Sequence, residues 1–315
     1  MSEKLIKKIT PAFKDYLWGG TKLKTDFNKS SDLDIIAESW EVSTHKDGLS
    51  LIDGVSLNQY LKENPSILGT KSKDGNLPIL IKYIDASKFL SIQVHPDDDY
   101  AHAYENDNGK TEMWYVVDCE EGAYLYAGVN QKVTKTELLE KIEDGTVLDV
   151  LNKVYVKKGD VIFIEPGTIH AIGSGIVIYE IQQQSNVTYR LFDFNRKDAN
   201  GNTRELHLDK SIEVSNLNPT IWNFKEDSIL VKNDTQTVKK LRECKYFKIF
   251  LYEISESIKM NVTSESCVFI SLIQGEGVLK GENTVNLVKG DTVIIPAGSG
   301  EVEFIGNGTY LYATL

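Results

Sequence analysis

The chain has 315 residues, 41% of them apolar, and a formal net charge of −11 at pH 7. That length exceeds one small core and suits one large domain or two modest ones. The acidic balance argues against nucleic acid or an anionic membrane as partner, because both are held by basic surfaces, while a local Lys/Arg cluster still leaves room for a phosphorylated small molecule.

The three cysteines, Cys119, Cys244 and Cys267, form no CxxC pair and are odd in number, the usage expected of a reducing compartment. A bound metal would then have to be held by histidine, carboxylate and amide groups. Residues 1–10 carry lysines but no apolar stretch of signal-peptide length, and no apolar run approaches the span of a bilayer. A cytoplasmic location is the resulting expectation.

In chain order, residues 4–20 lead to Tyr16-Leu17-Trp18-Gly19-Gly20, where the paired glycines mark a turn. Glu38-Ser39-Trp40-Glu41-Val42-Ser43 alternates as a short strand, with Trp18 and Trp40 expected in the core. Ser56 is placed to cap a helix starting at Leu57. The apolar run from Leu77 to Ile84 predicts a buried strand. It feeds into Leu90-Ser91-Ile92-Gln93-Val94-His95, where alternation puts Ser91, Gln93 and His95 on one face. Pro96 supplies no N–H and restricts its predecessor to extended geometry, so the strand should end after His95, leaving that imidazole at a strand mouth.

Asp97-Asp98-Asp99 reads as a turn. Asn108-Gly109 is another turn signal, and the strand after it places Lys110, Glu112 and Trp114 on one face. Residues 134–151 show helical spacing with a break at Gly145, a small helical insertion between strands. After Lys158-Gly159-Asp160, a buried strand and the turn Pro166-Gly167 deliver His170 to the start of the next strand. Residues 176–184 then set Glu180, Gln182 and Gln184 on one face. Arg190 lies amid apolar and aromatic neighbours; a buried arginine wants an anion, and Asp193 is the structural candidate.

Residues 209–232, with Pro219 and few apolar clusters, read as an irregular connector. Strands return from Phe247, and Lys289-Gly290-Asp291 repeats Lys158-Gly159-Asp160, with Gly298 falling where Gly167 falls and Glu301 where His170 falls. This repeat predicts two barrels of common design, one over 1–235 and a second over 236–315. No histidine lies beyond His207, so the second barrel is expected to lack metal ligands and to serve packing, solubility or assembly.

The strand regularity, the Gly-Asp turn and Pro166-Gly167-Thr168-Ile169-His170 resemble the cupin fold, which implies a mainly β protein of two antiparallel jelly-roll barrels with a few short helices. Gln93-Val94-His95-Pro96-Asp97, Gly109-Lys110-Thr111-Glu112, the Pro-Gly-x-x-His motif and Tyr189-Arg190 occur in the order seen in type I mannose-6-phosphate isomerases. Trp18-Gly19-Gly20 and Glu38-Ser39-Trp40-Glu41 are also similar to that family, in its short bacterial form. The resemblance implies a zinc site of His95, Glu112 and His170, with Gln93 as a fourth ligand in some members; imidazole and carboxylate are normal zinc ligands.

The implied reaction interconverts mannose 6-phosphate and fructose 6-phosphate through an enediol(ate). Arg190 matches the family's catalytic arginine, and Lys110 and Glu180 match polar positions in its pocket, where a nearby divalent cation would lower the lysine's pKa. Ser91 and Arg196 are the phosphate-binding candidates. Two departures stand out: Asn186 replaces an aspartate common in the family, and the longer eukaryotic helical domain is missing. The rival expectations are a non-catalytic sugar-binding bicupin, or another metal cupin enzyme such as a cupin-type glucose-6-phosphate isomerase; the Gln-Val-His-Pro-Asp stretch favours the mannose enzyme over both.

Overall fold

Alternation along the strands is resolved into three main sheets in the computed structural model, which describes residues 4–72, 75–197, 200–220, 222 and 228–315. A six-stranded sheet runs, in spatial order, Val161–Ile164, Glu112–Cys119, Ile176–Gln183, Ile79–Ala86, Glu38–Val42 and Ala12–Lys14. Facing it is a five-stranded sheet of Leu151–Tyr155, Tyr124–Val129, His170–Ala171, Ile92–Val94 and Tyr189–Phe192. Trp114, Val116, Ile162 and Ile178 of the first pack on Leu125, Ala127 and Val154 of the second. The third sheet, nine-stranded, gathers the C-terminal strands from Ser228–Lys232 to Gly300–Thr314, and the N-terminal strand Lys7–Lys8 pairs with its Thr292–Ile295.

The six-stranded sheet is buried on both faces, and each face has its own chemistry. Ile79, Ile81, Tyr83, Met113, Tyr115, Val177, Tyr179 and Ile181 pack outward against Phe247, Ile249, Leu251, Phe269 and Leu311 of the nine-stranded sheet. The residues between them, Lys82, Glu112, Glu180 and Gln182, point inward, as a period of two requires. At the seam Glu41 is fully buried, accepting from Ser39 Oγ at 2.5 Å and from Thr292 Oγ1 at 2.8 Å. Lys29 Nζ stands 2.6 Å from Glu41 Oε1, the oxygen that Ser39 also bonds, and donates to the Gly290 carbonyl. One ion pair thus ties the N-terminal sheet to the C-terminal one.

The helix Leu57–Glu63 is capped by Ser56 as expected, and Lys135–Glu143 carries a full capping box between Thr134 and Glu137. Three expectations need correction. Gly19 and Gly20 do not form the turn; Leu17 and Trp18 do, closed by Gly19 N–H donating to the Tyr16 carbonyl, while both glycines sit in bridges. They are small because a Cβ on Gly19 would fall 2.5 Å from Ala37 Cβ, and one on Gly20 2.5 Å from the Asp85 carboxylate. Residues 97–99 start the helix Asp98–Tyr104 instead of a turn, with Asp97 as N-cap and two aspartates in the first turn complementing the helix dipole. The connector is not irregular throughout: it contains the helix Leu208–Val214, which packs Leu208 and Ile212 onto the five-stranded sheet, and the edge strand Ser228–Lys232.

The repeat seen in the sequence is a repeat of geometry. Gly159 and Gly290 both take left-handed φ, +93° and +98°, and Gly167 and Gly298 do so at +81° and +73°. Asp160 and Asp291 each bond back three residues, to the N–H of Lys157 and of Val288, at 2.9 Å in both turns.

Candidate metal centre and its pocket

Strand ends bring the centre together. His95 follows Ile92–Val94, Glu112 opens Glu112–Cys119, and His170 opens His170–Ala171, where it pairs in register with Gln93. One ligand atom from each of His95, Glu112 and His170 lies within 4.8 Å of the others, and all three residues are buried. Nε2 of His95 is 3.3 Å from Glu112 Oε1, and Nε2 of His170 is 3.7 Å from Oε2.

The outer nitrogens are already committed. His95 Nδ1 lies 2.8 Å from the Val187 carbonyl and His170 Nδ1 2.9 Å from that of Thr168, so each ring donates outward and turns an Nε2 lone pair inward. Burial, and then the Lys110 ammonium, push His95 down to about 3, and burial lowers His170. Burial alone would raise the Glu112 carboxyl, but Lys110 and the two imidazoles hold it well below the usual carboxylate range. Two neutral imidazoles and one ionised carboxylate are the forms that bind a cation. Neither Glu112 oxygen has an aligned hydrogen-bond donor among the described residues, although Lys110 Nζ stands 2.6 Å from Oε1. A buried anion with unspent lone pairs and two convergent imidazoles fits a divalent metal.

Lys110 is fixed by backbone. Its N–H donates to the Pro96 carbonyl, and Gly109 before it allows that approach, since a Cβ there would fall 2.3 Å from the backbone of Asp97. Gln93 meets the centre through its amide, with Nε2 3.3 Å from His170 Nε2; as a metal ligand it would have to present Oε1 instead.

Beside the centre is a cavity of about 260 Å³ whose wall includes Ser91, Gln93, Lys110, Glu180, Arg190, Glu38, Lys82 and Arg204. Glu180 Oε2 accepts from Trp114 Nε1 at 2.6 Å and Oε1 lies 3.0 Å from Lys82 Nζ. Burial, then the neighbouring Glu112, raises the Glu180 pKa. Lys82 also stands 3.5 Å from Glu38, itself bonded by Trp40 Nε1. Burial would lower the Lys82 ammonium, but Glu180 and Glu38 hold it far above its ordinary value.

Of the sequence candidates, His95, Glu112, His170, Gln93, Lys110, Glu180, Ser91 and Arg190 meet around this cavity and centre. Two expectations fail. Asp193 is not the partner of Arg190, which donates to Ser91 Oγ at 3.3 Å and to the Glu205 carbonyl at 2.8 Å. Arg196 is absent from the cavity wall; it donates to Asp193 and to the Phe89 carbonyl, and Arg204 takes the place on the wall. Asn186, the departure from the family, donates from Nδ2 to Asp47 Oδ2 at 2.9 Å. Sequence reasoning passed over Glu38, Lys82 and Arg204; the one local signal was a lysine inside the apolar run Ile79–Ala86.

A family model described as "Phosphomannose isomerase type I, catalytic domain" matches residues 6–126, and "Mannose-6-phosphate isomerase, cupin domain" matches residues 237–314. The mannose-6-phosphate isomerase ManA of Bacillus subtilis is 38% identical over 308 residues, covering 94% of each chain. A solved mannose 6-phosphate isomerase from Bacillus subtilis superposes with a TM-score of 0.91 at 32% identity, covering 98% of this chain and 99% of its own. A mannose 6-phosphate isomerase solved with zinc and yttrium shares the fold, with a TM-score of 0.75 at 17% identity over 98% of each chain. With relatives of this identity matched end to end, the chain belongs to the type I mannose-6-phosphate isomerase family.

Proposed function

We propose that this protein interconverts mannose 6-phosphate and fructose 6-phosphate through an enediol(ate), using zinc held by His95, Glu112 and His170, with Gln93 as an optional fourth ligand. The observation that carries the reading is the convergence of three ligand atoms within 4.8 Å beside a cavity walled by Lys110, Glu180 and Arg190. A relative solved with zinc, and a donor set of two imidazoles and a carboxylate, support zinc over harder cations. When bound, the ion would supply Lewis-acid polarisation of the sugar oxygens.

The protein's own groups account for the rest. The isomerisation removes a proton from C2 of the aldose and returns it to C1, while a hydroxyl proton shifts between O2 and O1. Arg190, held by Ser91 and the Glu205 carbonyl, offers a fixed cation to the developing enediolate. Lys110 and Glu180 are the candidate proton carriers; burial raises the Glu180 pKa, the direction in which a carboxylate becomes a better proton acceptor. Burial of Lys82 and Trp114 against Glu180 keeps that carboxyl oriented and dry. On this reading the catalytic work falls to residues 1–235, and the unit 236–315 contributes none of the site groups.

The test is a coupled assay on mannose 6-phosphate with metal analysis of the same preparation. Turnover that disappears with a chelator and returns with zinc supports the reading. Activity confined to glucose 6-phosphate refutes it.

A further inference from the structure

The cavity is electrically lopsided. Arg190, Arg196 and Arg204 gather around the buried carboxylate of Asp193, with Glu205 also near Arg190, so cations outnumber anions three to two in a chain of net −11. Arg204 grips that carboxylate with two bonds, Nε to Oδ2 at 2.7 Å and Nη2 to Oδ1 at 2.6 Å. A two-point grip fixes the plane of the guanidinium. Burial would raise the Asp193 pKa, but the hydrogen bonds from Arg204 and Arg196 lower it, so Asp193 stays an anchor.

Arg190 and Arg204 are on the cavity wall. Among the described residues, Arg190 Nη2 and Arg204 Nη1 make no hydrogen bond, leaving two donor groups for a ligand. The strand through Ile92–Val94 gives the scale: Gln93 touches His170, and Ser91, the next residue on that face, lies about 6.6 Å further along and accepts from Arg190. The metal end and the arginine end are therefore rungs of one ladder, and a sugar phosphate carries nearly two negative charges at the end remote from C1 and C2.

We propose that Arg204, aimed by Asp193, is the specificity-determining residue that takes the substrate's phosphate, with Ser91 beside it, while Arg190 serves the enediolate and Arg196 acts only through Asp193. This assignment rests on the hexose 6-phosphate reading above.

Steady-state kinetics of full-length Arg204→Gln, with inorganic phosphate as a competitive probe, test it. Loss of a charge-assisted contact should raise KM for mannose 6-phosphate roughly 10- to 100-fold, raise the inhibition constant of inorganic phosphate in parallel, and leave kcat within about threefold. Bound metal should be unchanged. Asp193→Asn should shift KM in the same direction by less. An unchanged KM in Arg204→Gln overturns the assignment, as does a larger KM rise in Arg196→Gln. Should Arg204→Gln fail to fold, Arg204→Lys decides on the same readouts: a raised KM supports the assignment and an unaltered one removes it. Absence of mannose 6-phosphate turnover by the zinc-loaded wild type would instead sink the underlying reading.

Discussion

The two β units share their turns and strand register, and yet one encloses a site and the other a core. Matching the Gly-Asp and Pro-Gly turns with the strand pairing aligns Glu112 with Val268, Trp114 with Ile270, Glu180 with Tyr312 and Lys82 with Phe250. His95 falls on Thr263, since Gly167 and Gly298 donate to the carbonyls of these two residues, and His170 falls on the exposed Glu301. Where the first unit holds Lys82 against Glu180 at 3.0 Å, the second sets a half-buried Phe250 edge-on to a half-buried Tyr312 with ring centres 5.6 Å apart. The backbone tolerates either interior. Desolvated charges cost several kcal/mol each unless paired, so the first unit spends stability on the groups to which the proposed reaction is assigned, and the second, with Val268, Ile270, Leu272, Val302 and Phe304 inside, does not.

The comparison can be broken at graded depths. His95→Ala, which brings the first unit toward the ligand-free second, should lose both bound metal and turnover to background, read by metal analysis and the coupled assay. Lys82→Met strands Glu38 and Glu180 without their shared cation and should destabilise by about 3–5 kcal/mol in denaturant unfolding. Importing the second unit's pair, Lys82→Phe with Glu180→Tyr, should recover part of that loss and abolish turnover; a double variant no more stable than Lys82→Met would refute the idea that the two interiors are interchangeable. Arg190→Ala should keep its metal and lose roughly 10²- to 10³-fold in kcat, the scale for removing one donor to a developing oxyanion. The smallest effect is expected from Glu301→His. It restores a histidine at the place of His170, but Val268 and Thr263 supply no partner ligand, and Glu301 gives up only an exposed pair with Lys259. Metal content should stay at one site per chain, with stability altered by less than about 0.5 kcal/mol.

What the sequence made legible follows from the range of each interaction. Side-chain alternation and turn chemistry are local, so the strand Ile79–Ala86, the cap at Ser56 and the delivery of His170 could be read directly. The short helix Asp98–Tyr104 escaped because its apolar residues are too few to show a period, and its capping aspartates mimic a turn. The Lys82 network and the Arg204 clamp escaped for a different reason. Glu38, Lys82 and Glu180 come from three separate strands, and the partner of Arg204 is chosen by how residues after Phe192 fold back over the cavity, which no spacing encodes.

The outward side of the catalytic sheet has a practical meaning for anyone who would shorten this enzyme. Ile79, Ile81, Tyr83, Tyr179 and Ile181 share one packed cluster with Phe247, Ile249, Leu251, Phe269 and Leu311 of the C-terminal strands, and Glu41 accepts from Thr292 and pairs with a lysine that also binds Gly290. Severing the chain near position 235 would wet that greasy surface and take from the buried Glu41–Lys29 pair its Thr292 donor and Gly290 acceptor in one stroke. The C-terminal half is thus a backplate, and an isolated fragment of residues 1–235 should clump instead of turning over sugar.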